Sequence, residues 1–565
     1  MKKLIPFFVA IVLIIIVVYV SFGKDIVNKY TYGQEKADLN AYFDIFSSED
    51  VPIILQDTRI DRCARMIDNT IYFSKDLVED YFTIRFYYDK NENLLLYTNA
   101  VTTISTETGS KEYTEAGNTV SASYPLSIVK DDTLYIAADY LKKYVNFSYE
   151  LFADPYHMQV YTEWGEKTVL DVKSESQVRW RAGIKSEILT DIKPGDVVEK
   201  LEVLDDWTKV KTSDGFIGYV ETKHLENERT ETEVPVTEVP VENYSSLTRD
   251  HKINLVWHNM EAPQGDTELF AACAKVKAVN VVSPTWYWLS DNEGNIKSIG
   301  NESYVDAAER MGMEVWPLVA NFHSNTDVDV EEVLSYTSKR TVLIDSLVSE
   351  TLKYGAHGIN VDFETLPISV GDSYIQFIRE LAIKCHENNL VLSVDNYVPT
   401  EYTAFYCREE QGKFADYVII MGYDEHYAGS EVGSVASIPW MSDGIKNTID
   451  VVPANKVINA IPFYTRVWKT SGGSVTSEAV VMQTEKEFIE RNKNGLNMYW
   501  DEATRQNYAE GTFDGIFYQV WIEDAESVNV RLNVMNTYGI AGVAAWCLGQ
   551  ETEDVWDAIE NYMNY

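Results

Sequence analysis

The segment His357-Gly358-Ile359-Asn360-Val361-Asp362-Phe363-Glu364 reads as a strand in which a polar side chain recurs at every second position near its end. Side chains on a strand alternate between faces, so Asn360, Asp362 and Glu364 point the same way. Two carboxylates in such a row can act as proton donor and orienting base on a sugar bond when their surroundings push their pKa values apart. A solvated strand edge or a cation site would show the same residues, so the neighbouring elements decide between these readings.

Those elements form a repeating pattern. Apolar runs occur at Lys252–Trp257, Val279–Ser283, Glu314–Ala320, Gly358–Glu364, Leu390–Asp395, Tyr417–Tyr423, Val457–Phe463 and Gly542–Trp546. Helical patterns such as Val330–Tyr354 and Ser373–Asn388 lie between them. Continuous apolar strands separated by helices predict a parallel sheet covered on its outer face. Eight such units over residues 250–565 predict an α/β fold, a (β/α)8 TIM barrel. The stretch at about 464–522 lacks a repeat of the unit and is expected to be an inserted lobe over the barrel mouth. Function in such barrels sits at the C-terminal strand ends. There, strand four ends in the acidic row, strand six in Met421-Gly422-Tyr423-Asp424-Glu425-His426, and strand eight in Ala544-Ala545-Trp546.

These three motifs, in this order, resemble glycoside hydrolase family 18, the chitinase-like family. Within it the likeness is closest to the branch of spore-cortex and peptidoglycan N-acetylglucosaminidases. The family pattern on strand four is Asp-x-x-Asp-x-Asp-x-Glu. Asp362 and Glu364 keep its last two acids, whereas His357 and Asn360 replace the first two. His357 falls at the strand's start and is expected to be structural. The resemblance implies a retaining, substrate-assisted reaction in which the substrate's acetamide oxygen is the nucleophile. Glu364 would be the acid and then the base, Asp362 the carboxylate that holds the acetamide N–H, and Tyr423 the donor to the acetamide oxygen. Substrate contacts are expected from Asn360, Asp424 and Trp546. Trp286, Tyr287 and Trp288, after strand two, are either a sugar-stacking platform led by Trp286 or a packed lid. With Asn360 in place of an acid, Asp362 has no carboxyl in its own row with which to share a proton. The acids of Trp521-Ile522-Glu523-Asp524 are expected to cap a helix.

The rest of the chain bounds the setting. The 88 acidic and 48 basic residues leave a net charge of −40, which repels phosphate backbones and argues against nucleic-acid binding. The five cysteines are scattered, and neither zinc-type spacing nor a phosphate loop occurs, so no metal or cofactor is expected. Lys2 and Lys3 precede an apolar run, Leu4–Phe22, close to the roughly 20 residues that cross a bilayer as a helix. A transmembrane signal anchor over 1–24, with the bulk of the chain outside the cytoplasm, is expected. A cleaved signal peptide is the alternative.

A repeat follows the anchor. Asp68-Asn69-Thr70-Ile71-Tyr72-Phe73 recurs as Asp131-Asp132-Thr133-Leu134-Tyr135-Ile136, each copy running on to a strand that ends in Tyr-Thr. The resulting α+β module, residues 36–165, resembles the copper amine oxidase N-terminal-like domain. Residues 176–226, with Lys193-Pro194-Gly195-Asp196 and Asp214-Gly215 turns between short strands, predict a small β-barrel that resembles a bacterial SH3 domain. Relatives of that domain bind cell-wall peptides. Residues 227–249 form an acidic Pro/Thr linker, extended because regular prolines deny ladder donors.

The expected function is therefore a membrane-anchored extracytoplasmic glycosidase that cleaves β-1,4 links of N-acetylglucosamine glycans, with peptidoglycan preferred and chitin the other candidate. The rivals are a catalytically inactive, lectin-like glycan-binding protein and a structural protein whose barrel only docks partners.

Overall fold

A computed structural model describes residues 5–115, 118–235, 239–322 and 327–564. The chain divides into two compact units, Met1–Phe86 with Thr106–Val241, and Tyr87–Ser105 with Glu242–Tyr565.

The first unit holds two seven-stranded sheets. In one, the repeat copies meet: Thr70–Ser74 pairs antiparallel with Thr133–Ala137, placing Phe73 opposite Ile136. Asp68-Asn69 and Asp131-Asp132 all have positive φ, as two-residue type I′ hairpin turns demand. Each copy then enters a short helix, Lys75–Tyr81 or Ala138–Leu141. His157 is buried and bonds the carbonyls of Pro155 and Asp214, a packing role. The second sheet spans Glu166–Thr232 around a core that includes Val178, Val210, Phe216 and Val220. Trp180 packs edge-on against Tyr42. The linker's first residues extend the last strand, Leu225–Thr232, and Val236–Glu238 lie outside the described residues.

The expected membrane-crossing helix is not supported. Ile5–Tyr30 is helical, but among the described residues no helix is long and apolar enough to cross a membrane. Residues 1–4 and the side chains of 5–7 and 22–27 lie outside the described residues, and Lys29 lies in the last turn of the same helix.

The second unit is a closed barrel of eight parallel strands: β1 (Ile253–His258), β2 (Val281–Leu289), β3 (Leu318–Ala320), β4 (Gly358–Asp362), β5 (Val391–Tyr397), β6 (Tyr417–Met421), β7 (Val457–Pro462) and β8 (Gly542–Trp546). Each strand pairs with its sequence neighbour, and β8 pairs with β1 to close the ring. Outward residues such as Val256, Ile359 and Val361 pack against the surrounding helices. Inward residues fill the barrel's base, where Trp316 stacks on Tyr417 at 5.4 Å. Gly358 makes room for this pair, since a Cβ there would lie 2.9 Å from Trp316 and 2.7 Å from the Val391 carbonyl. His357, one residue before β4, accepts from the Val315 N–H and faces Glu309.

Two additions complete this unit. The expected insertion is a five-stranded antiparallel sheet with one helix, Met482–Asn492, running from Tyr464 to Trp521. It returns through Asp524, which caps the helix Ala525–Tyr538 by accepting from the Ser527 N–H. Glu523 instead forms a fully buried ion pair with Arg531. The hairpin of the first repeat copy, Phe86–Asp89 and Leu94–Thr98, contributes a second addition. Helix Thr337–Lys353 has no cap from its own N-cap residue. Asp89 supplies one, accepting from the backbone and hydroxyl of Thr337 at 2.6 Å each.

Candidate active site

The polar row rises from the filled base of the barrel toward its open end. Glu364 lies past the last paired residue of β4, so side chains must fix it in place of ladder bonds. Asn321, just after β3, does so with both ends of its amide. Its Nδ2 donates to the Glu364 carbonyl at 2.9 Å, and its Oδ1 accepts from the Glu364 N–H at 2.8 Å. The Tyr406 hydroxyl donates to the Phe363 carbonyl at 3.0 Å. Thr365 then turns the chain at a φ of 51°.

A second row stands beside the first. On β5, Ser393, Asp395 and Tyr397 alternate as Asn360, Asp362 and Glu364 do on β4, and the strands pair with Asn360 opposite Ser393. Asn360 Nδ2 donates to Ser393 Oγ at 3.0 Å and to Asp395 Oδ1 at 2.8 Å. Its Oδ1 accepts from Trp257 Nε1 at 2.8 Å and from Ser283 at 3.2 Å. At the open end, the Tyr397 hydroxyl donates to Glu364 Oε2 at 2.8 Å.

Above the rows lies a cavity of about 230 Å³ lined by Trp257, Asp362, Glu364, Asp395, Tyr397, Met421, Tyr423, Asp424, Tyr464 and Trp546. Tyr423 stands edge-on to Tyr464, whose hydroxyl donates to Asp424 at 2.7 Å. Trp546 meets Trp257 at 5.9 Å.

The electrostatics favour a proton on the acids. Burial, then the charge of Glu364, pushes the Asp362 carboxyl well above the usual range. Burial also raises Glu364; the Tyr397 hydroxyl opposes the rise and Asp424 adds to it. Asp395 is raised by burial and by Asp362, with the Asn360 amide pulling the other way. A protonated Glu364 facing an aromatic-walled cavity can donate to a leaving oxygen, and an ionised Asp362 below it can accept from an N–H. Among the described residues no cluster of His, Cys, Asp and Glu is arranged to hold a metal ion.

The structure thus gathers Asp362, Glu364, Tyr423, Asp424 and Trp546 around one cavity. Two other expected contacts are corrected. Asn360 is fully buried with both amide ends bonded to protein, so it orients its neighbours and does not reach a ligand. Trp286 is fully buried between Tyr304 and Tyr354. β2 continues to Leu289, with a register shift between Thr285 and Tyr287, so Trp286 lies within the strand and packs outward against helices. Sequence reading also missed Asp395, Tyr397, Trp257, Tyr464 and Asn321. The alternation Ser393-Val394-Asp395-Asn396-Tyr397 carried a usable signal for the first two.

Similarity to known proteins identifies a glycoside hydrolase domain in this chain. Residues 318–551 match the family described as Glycosyl hydrolases family 18, and residues 174–226 match the Bacterial SH3 domain. The chain carries both domains. It is 26% identical over 313 residues to the uncharacterized glycosylase YvbX of Bacillus subtilis, covering 52% of this chain and 88% of that protein. It is 25% identical over 232 residues to the cortical fragment-lytic enzyme of Bacillus subtilis, covering 39% of this chain and 53%, about half, of that protein. Among solved structures, the spore cortex-lytic enzyme SleL of Bacillus megaterium shares the fold, with a TM-score of 0.50 at 19% identity over 58% of this chain and 78% of that one.

Proposed function

We propose that the barrel hydrolyses β-1,4 bonds that follow an N-acetylglucosamine residue, with retention and with the substrate's acetamide as nucleophile. The observation that carries this reading is the placement of Glu364 and Asp362 two residues apart on one face at the mouth of β4. Burial raises the Glu364 pKa, which favours the proton that a leaving oxygen needs. Asp362, deeper in the cavity, is positioned to hold the acetamide N–H, which turns the acetamide oxygen toward the anomeric carbon. The aromatic walls, Tyr423 and Trp546, suit the apolar face and the acetamide of such a sugar.

Peptidoglycan is the preferred glycan in this reading. The bacterial SH3 domain and the similarity to a cortical fragment-lytic enzyme support a wall polymer over chitin. The SH3 domain would then engage wall peptides, and the working position of the chain is outside the cytoplasm.

The test is release of reducing ends from peptidoglycan fragments and from chitooligosaccharides by the full chain and by Glu364→Gln. The proposal expects turnover by the first and a loss of about 10²–10⁴ in the second. Binding without turnover by the unmodified chain would contradict it. Turnover on chitooligosaccharides alone would overturn the wall assignment and leave the chemistry standing.

A further inference from the structure

The second acid of the family's strand-four pattern is absent here, because Asn360 stands in its place. The neighbouring strand supplies a carboxyl instead. β4 and β5 pair with Asn360 opposite Ser393 and Val361 opposite Val394, so the next positions in that register are Asp362 and Asp395. Strands are about 4.8 Å apart, so these two side chains leave neighbouring strands at one level and on one face, and the charge of Asp362 acts on Asp395.

Asn360 fixes the orientation of this pair. The Trp257 indole N–H can only donate, so it selects the Asn360 carbonyl oxygen and turns the amide N–H toward Asp395 Oδ1. Among the described residues, Asp395 Oδ2 and Asp362 Oδ1 are then the two fully buried carboxyl oxygens without a hydrogen-bond partner. Both residues are buried, Asp362 with 8% and Asp395 with 2% of its surface exposed. No basic side chain lines the cavity. The other titratable groups facing the pair are Glu364, Asp424 and the hydroxyls of Tyr374, Tyr397, Tyr406, Tyr423 and Tyr464. The nearby cation, Arg408, is held by the Tyr397 and Thr403 carbonyls. Two adjacent carboxylates in such a place cannot both stay ionised without a cation between them.

We propose that Asp395 is a positioning residue that shares one proton with Asp362, so that a pair built across two strands does the work of two acids on one. The inference rests on the glycosidase reading above. The pair keeps one proton and one negative charge throughout. When an acetamide N–H approaches Asp362, the proton passes to Asp395, leaving Asp362 as the accepting carboxylate. No other group gains or loses a proton. Asp395→Asn retains a donor toward Asp362, whereas Asp395→Ala leaves Asp362 desolvated and unpartnered.

The test is infrared titration of the full chain, comparing Glu364→Gln with Glu364→Gln/Asp395→Asn at neutral pH. The expected difference is the loss of one protonated-carboxyl C=O signal. Loss of an ionised carboxylate signal instead overturns the proposal. This readout does not depend on turnover. In the chain with Glu364 intact, Asp395→Asn should stay within about tenfold of the unmodified activity on chitooligosaccharides, and Asp395→Ala should fall about 100-fold. Equal activities of the two variants would also overturn it. The infrared loss in a chain that turns over no glycan would sink the glycosidase reading while supporting the shared proton.

Discussion

The Tyr397 hydroxyl donates to Glu364 Oε2 at 2.8 Å, so the acid just beyond β4 is held by a side chain at the end of β5. Burial raises the Glu364 pKa, and this hydrogen bond lowers it by favouring the ionised form. Removing the hydroxyl removes the opposing effect. In Tyr397→Phe, Glu364 keeps its proton to higher pH, and the alkaline limb of kcat/KM moves up by about one pH unit. A pH–rate profile on a chitooligosaccharide checks this, and a downward shift would contradict it.

Asp362 is costly to the fold. Its folded pKa lies above the ordinary 3.8, so the native state binds more protons than the unfolded state as pH rises through the interval between the two. Stability therefore falls with rising pH across that window, and below about pH 4 the penalty vanishes. Asp362→Asn should raise stability at neutral pH by about 1–3 kcal/mol while removing activity. The gain should shrink toward zero on acidification. Denaturant melts at several pH values measure it.

Asp89 reaches the barrel from a distant part of the chain. It is fully buried and caps helix Thr337–Lys353, and Glu92 accepts from the next N–H, that of Ser338, at 2.9 Å. Asp89→Ala should cost about 1–3 kcal/mol through the unpaired Thr337 groups. Residues 245–565 expressed alone lack both caps and should melt lower than the full chain. Thermal unfolding followed by circular dichroism compares them.

Trp286 and Trp546 should separate cleanly. Trp286→Ala empties a core site and should cost about 3–5 kcal/mol with kcat/KM of the folded protein unchanged. Trp546→Ala should lower kcat/KM about tenfold or more with little effect on the melting temperature. Paired kinetic and melting measurements on both variants test this.

The barrel was legible because its strands are buried on both faces and read as uninterrupted apolar runs. All eight predicted strands fall on β1–β8, seven with ends within four residues, while β2 runs six residues past its expected end. The lobe was legible as a stretch without the βα unit. Asp362, Glu364, Tyr423 and Trp546 were legible because strand ends are where such barrels carry chemistry. Asp395 was missed because its run was read for apolarity, and the alternation of Ser393, Asp395 and Tyr397 was passed over. Trp286 was misplaced because β2 runs past its expected end and shifts register, which local pattern does not reveal. The Asp89 cap depends on a contact across 248 residues, beyond any local signal.

The central claim is that the nucleophile is the substrate's own acetamide, with Glu364 moving the protons. Proton NMR of the product in the first minutes of cleavage, before mutarotation, tests it most directly. The β-anomer is expected at the new reducing end, formed by the unmodified chain and not by Glu364→Gln. Initial release of the α-anomer would contradict it.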